Sequence, residues 1–123
     1  MKKFEVIFCI VNAGFSEEVM EAARNAGARG GTVMHARGTA NPQAEKMFGV
    51  SVQANKEIVM ILVEDSIKEG ILHALYGAVG QKSKAQGIAF SMPVEDVVGL
   101  SAKAIVPQEE QPAVQPAEED PQQ

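Results

Sequence analysis

Two stretches of this chain carry the same strand–helix–strand pattern, and that duplication limits its fold more than any other feature. In the first, the apolar run at residues 6–11 precedes a helical segment at 16–26 and a second extended run at 31–38. In the second, residues 58–63, 66–79 and 87–92 repeat the order. Each copy has a glycine-bearing turn with a basic residue near it. A duplicated βαβ of this size predicts an α+β, ferredoxin-like βαββαβ fold, an antiparallel sheet with two helices on one face. The fold by itself names no function. The turns and the long connection between the halves carry that information.

Local signals set the expected boundaries. The first strand, residues 4–11, is apolar on both faces towards its end, as a central strand covered on both sides would be. Asn12-Ala13-Gly14 breaks it. Ser16 reads as an N-cap, with Phe15 and Met20 as a hydrophobic staple. Glu17, Glu18 and Glu21 follow where the helix dipole favours acid, and Gly27 ends the helix. Ser66 and Glu69 have capping-box spacing, and Ile67, Ile71, Leu72, Leu75 and Val79 form one apolar stripe, with His73 beside it. Pro93 reads as the stop of the fourth strand, with a short turn or edge element at 94–100.

Charge divides the chain unevenly. The net charge is −5, and Glu109, Glu110, Glu118, Glu119 and Asp120 are five acids in a tail without Lys or Arg. Sixteen acids less these five leaves eleven, matched by eleven bases in residues 1–106. A neutral body with no basic stripe, only 5% aromatics and no Trp argues against nucleic-acid binding. The expected organisation is one domain at 1–106 and a disordered acidic Pro/Gln tail at 107–123. Lone Cys9 offers no intrachain disulfide, Lys2-Lys3 is followed too soon by Glu5 for a signal peptide, and no apolar run approaches the ~20 residues of a membrane span. These point to the cytoplasm.

Chemistry-bearing motifs are sparse. Residues 77–83 imitate a phosphate loop, but glutamine stands before Lys82 where glycine is required, and the segment follows a helix. What remains is a polar loop with Lys82, Lys84 and Gly87, able to offer ammonium groups and backbone donors, or simply a solvated loop. Cys9, His35 and His73 lack metal-ligand spacing, and no Ser stands in a recognisable triad, so neither a metal site nor a catalytic residue is expected. Residues 39–55 exceed the ~12–15 residues beyond which loops are usually functional or disordered. Asn41-Pro42 is a candidate cap for a short helix, and 49–52 a candidate strand. The segment reads either as a loop folded back on the domain or as an arm docking a partner through Met47 and Phe48.

Several of these segments together resemble the PII nitrogen-regulator family: Gly27-Ala28-Arg29-Gly30-Gly31-Thr32-Val33, Arg37-Gly38-Thr39, Gly87-Ile88-Ala89-Phe90 and Pro93-Val94-Glu95-Asp96-Val97-Val98. The resemblance spans roughly residues 1–100. It implies a homotrimer with adenine nucleotides in the clefts between subunits. It also implies a non-enzymatic sensor that regulates an enzyme or membrane transporter through a T-loop, here residues 39–55. By that resemblance Gly30 and Thr32 contact the adenine base, and Arg37, Gly38 and Thr39, at the root of the T-loop, also belong to the nucleotide site. Lys56 approaches phosphates, and Lys82, Lys84 and Gly87 belong to the phosphate-cradling B-loop.

The departures are informative. Ile88 replaces the last B-loop lysine, and Gly99 and Ser101 stand where better-known members have two phosphate-binding arginines. The T-loop is short and lacks their modified tyrosine, and it shows no clear match to the glutamine that helps bind 2-oxoglutarate with magnesium. Each lost arginine removes a charge-assisted contact of about 1.5–3 kcal/mol. The implied effector is therefore AMP, ADP or another small anion, with Arg29 and Arg37 as candidate replacement charges. The alternatives are a ligand-free trimeric scaffold and a metal-responsive trimer of the CutA type.

Overall fold

The computed structural model describes residues 2–39 and 54–100. Met47 and Phe48, most of the 39–55 connection and the acidic tail lie outside the described residues. The elements are β1 (Phe4–Asn12), α1 (Ser16–Asn25), β2 (Thr32–Arg37), β3 (Asn55–Glu64), α2 (Asp65–Val79) and β4 (Ile88–Val94). The sheet order is β2-β3-β1-β4, with every neighbouring pair antiparallel. This is the expected ferredoxin-like fold.

Strand alternation builds the core. Ile7, Cys9 and Val11 of β1 and Val59, Ile61 and Val63 of β3 point to the helix side and are buried. Val19, Met20 and Ala23 of α1 close over them with Ile71, Leu75 and Val79 of α2. Ile67 and Leu72 complete the expected stripe at its half-buried margin. Burial pushes the Cys9 thiol pKa up to about 11, because the thiolate would lose its hydration.

The other sheet face is also apolar. Phe8 stands between Met60 and Phe90, Ile10 between Ile58 and Ile88, and Val6 between Leu62 and Met92. Phe8 and Phe90 stack with ring centroids 5.6 Å apart. Ile88, Phe90 and Met92 nevertheless stay 56%, 43% and 45% exposed. Thus β1 is central and apolar on both sides, but the described residues cover only the helix side.

Three local expectations need correction. Ser16 is the first helical residue and does not cap with its side chain; Phe15 holds the cap position. The carboxylate of Glu57 on β3 serves the helix start instead, accepting from the Gly14 and Ser16 amides at 3.2 Å each. The Ser66–Glu69 capping box does not form, because α2 starts one residue earlier and Glu64 holds the cap position without a side-chain bond. Its first amide, Asp65 N, donates to the Lys3 carbonyl at 2.8 Å, so the residue just before β1 supplies the acceptor. Pro93 does not stop β4 but lies within it, opposite Glu5. An edge strand tolerates a residue without an N–H where that group would face away from its neighbour. Gly27 ends α1 as expected, with φ at +114°.

Candidate functional site

The candidate residues gather where β3 begins, at the end of the 40–53 connection. Lys56 is the second residue of β3, directly opposite Asn12 on β1 and Ala36 on β2. Its ammonium donates to Asn12 Oδ1 at 2.8 Å. Asn12 is 6% exposed, the one buried polar residue among those described. Its Nδ2 donates to the Lys84 carbonyl at 3.0 Å, and its backbone amide to the Ala85 carbonyl at 2.9 Å. Lys56 and the 81–87 loop thus meet through a side chain whose importance the sequence reading missed.

The neighbouring turn is held the same way. Asn55 accepts from the Ala13 amide at 3.0 Å, and Glu57 holds Gly14 and Ser16. Three consecutive residues of β3 therefore grip the turn at 12–16. His35 lies across from Glu57 with its Nδ1 3.9 Å from the carboxylate, largely in solvent.

Two glycines beside the site make close approaches. The Gly38 amide donates to the Ala54 carbonyl at 2.6 Å, and a Cβ on Gly38 would stand 3.1 Å from Lys56 Cε. Gly38 leaves room for the lysine stem. The Gly87 amide donates to the Val79 carbonyl at 2.6 Å, and a Cβ there would run into that same oxygen.

The 81–87 loop spends much of its bonding capacity on itself. Ser83 N and Ser83 Oγ donate to the Gly80 carbonyl, Gln86 N to the Ser83 carbonyl, and Ala85 N to Ser83 Oγ. The Gln81 side-chain amide donates to the Gln86 and Gly87 carbonyls. Donors that a phosphate-cradling loop aims outwards are partly used inside this one. The Lys82 and Lys84 residues are exposed.

The remaining candidates lie along β2. Arg37, Gly38 and Thr39 are at its far end, beside Lys56, while Gly30 and Thr32 are at its start. Thr32 pairs with Met60, four residues along β3 from Lys56, about 13 Å at strand rise. The structure therefore brings Gly38, Lys56 and the 81–87 loop together and leaves Gly30 and Thr32 a strand-length away. A groove between α1 and β2, lined by Glu17, Glu21 and Arg24 among others, is separate from the lysine cluster.

Comparison with known proteins agrees with this fold. No curated protein sequence is a significant match. Among solved structures, Arabidopsis thaliana PII bound to citrate is similar, at 23% identity and a TM-score of 0.61 over 81% of this chain and 82% of that one. A PII-like signaling protein from Thermus thermophilus is similar at 16% identity and a TM-score of 0.58, over 75% of this chain and 86% of that one. The family model for nitrogen regulatory protein P-II matches residues 1–104. With that match over most of its length and the ferredoxin-like fold, the chain belongs to the P-II family.

Proposed function

We propose that this chain forms a homotrimer that senses a small anionic effector, AMP or ADP above all, in clefts between subunits. It passes the result through residues 39–55 to an enzyme or a membrane transporter. P-II family proteins are regulatory, binding small-molecule effectors and acting on partner proteins. The observation that carries the reading is the tie between Lys56, at the end of the 39–55 connection, and the 81–87 loop through Asn12. An anion bound there touches the root of the output segment.

The self-bonded 81–87 loop favours an effector with few phosphates. With several of its amides occupied, charge compensation falls to Lys56, Lys82, Lys84 and Arg37. The apolar sheet face that the described residues leave uncovered supports the trimer, since contiguous exposed apolar surface marks an interaction site. The lone buried thiol fits a reducing cytoplasm. The same self-bonded loop also favours a second reading, a trimeric scaffold that binds no effector.

Calorimetry on the full chain separates the two. AMP should bind the parent, and Lys56→Ala should weaken it by about 1–3 kcal/mol, roughly five- to hundredfold. Thr32→Val should reduce discrimination between adenine and guanine. Phe48→Ala should leave effector binding intact and impair partner binding. No nucleotide binding by the parent, or equal affinities across the three variants, leaves the scaffold.

A further inference from the structure

We propose that Asn12 is a positioning residue that locks the Lys56 ammonium to the 81–87 loop, so that two separate segments present one pre-formed anion site. Lys56 and Asn12 face each other across β3 and β1, and the amide then reaches on to the Lys84 carbonyl. Only one orientation of that amide works. Reversed, it would set its NH₂ against the ammonium and its oxygen against the carbonyl. A buried amide is costly unless every group is bonded, and a leucine would fill the space without that requirement. Its bonds reach residues 44 and 72 positions away, one on each side of β1.

The consequence is mechanical. Lys56 has a flexible four-carbon stem, and an ammonium free to swing would spend part of its binding energy on being ordered. Held by Asn12 Oδ1, with Gly38 leaving room beside the stem, it is ordered beforehand. The Asn12 Nδ2 and backbone amide fix the loop from Lys84 to Ala85 relative to it. Asn12 need not touch the effector. It acts through the lysine and the loop.

The ligand arm of the test rests on the function proposed above, whereas two arms do not depend on any ligand. Asn12→Asp keeps an acceptor for Lys56 but cannot donate to the Lys84 carbonyl, so it separates the two bonds. In the full chain, pulse acetylation of Lys56 relative to Lys82 should fall, while hydrogen exchange of the Ala85, Gln86 and Gly87 amides should rise about fivefold. Asn12→Leu removes both bonds, so labelling of Lys56 and exchange of the loop should both rise. AMP affinity should fall about tenfold in the Asp variant, whose carboxylate competes for the ammonium. Glu57→Gln, which weakens the bonds from the Gly14 and Ser16 amides and touches neither side-chain bond of Asn12, should leave the Lys56-to-Lys82 labelling ratio unchanged. Should the Leu variant not fold, the opposed responses of the Asp variant decide alone. The proposal is overturned if the Asp variant moves labelling and exchange in the same direction, or moves neither. A parent that binds no AMP refutes the effector reading, while the labelling and exchange arms still judge Asn12.

Discussion

The apolar outer face gives the sharpest quantitative test, through Phe90→Ala. Phe90 is 43% exposed while stacked on Phe8 in the single chain. Of the roughly 200 Å² a phenylalanine can bury, about 85 Å² is left for a neighbouring subunit to cover. At about 25 cal/mol per Å² this is ~2 kcal/mol per protomer, or ~6 kcal/mol for a closed trimer. Each 1.4 kcal/mol is tenfold, so the trimer association constant should fall roughly 10⁴-fold. Three chains combine, so the midpoint concentration varies as the square root of that constant and should rise roughly 100-fold. Sedimentation equilibrium across a concentration series reads this midpoint, and circular dichroism confirms that the variant is folded. A parent chain that is monomeric at micromolar concentration would refute the reasoning. So would a folded Phe90→Ala variant with an unchanged midpoint, since the outer face would then not be the interface.

Three further outcomes are expected. Truncation after Val106 should leave the melting temperature and oligomeric state unchanged, because the tail is acidic and proline-rich with few apolar groups to bury; a large fall in melting temperature would show that the tail packs on the domain. Glu57→Gln should lower stability by about 1–2 kcal/mol, measured by denaturant titration, because the carboxylate bonded to Gly14 N and Ser16 N becomes a neutral amide. Cys9 should make stability fall as pH rises from the unfolded thiol pKa of 9.0 towards the folded value of about 11, since the unfolded chain loses the proton first. The slope reaches at most about 1.4 kcal/mol per pH unit, and subtracting the Cys9→Ala curve isolates it from other groups titrating there.

Strand and helix positions could be read from the sequence because they follow from near-neighbour patterns. The run at 58–63 and the stripe from Ile67 to Val79 show their periods within a single element, and both elements form. The family resemblance at Arg29 to Val33 and Pro93 to Val98 likewise lies in contiguous text. The failures occur where one element borrows a bond from another. Ser16 and Ser66 look like caps in sequence, yet residues distant in the chain serve both helix starts, Glu57 of β3 for α1 and Lys3, just before β1, for α2.

The amino-acid sequence by itself determined the ferredoxin-like order, the helix-facing core and the neutral body with its acidic tail, all of which depend on composition and spacing along the chain. Only the tertiary structure decided that Lys56 is held by Asn12 and that Asn12 also holds the 81–87 loop. It likewise decided that Pro93 stays in the sheet, because β4 takes the edge. The physical reason is range. Apolar alternation repeats every second residue and an apolar helix stripe every third or fourth, whereas a hydrogen bond between residues 44 or 72 apart leaves no periodic trace. An asparagine at a strand end reads as a breaker until the sheet sets a lysine directly across from it.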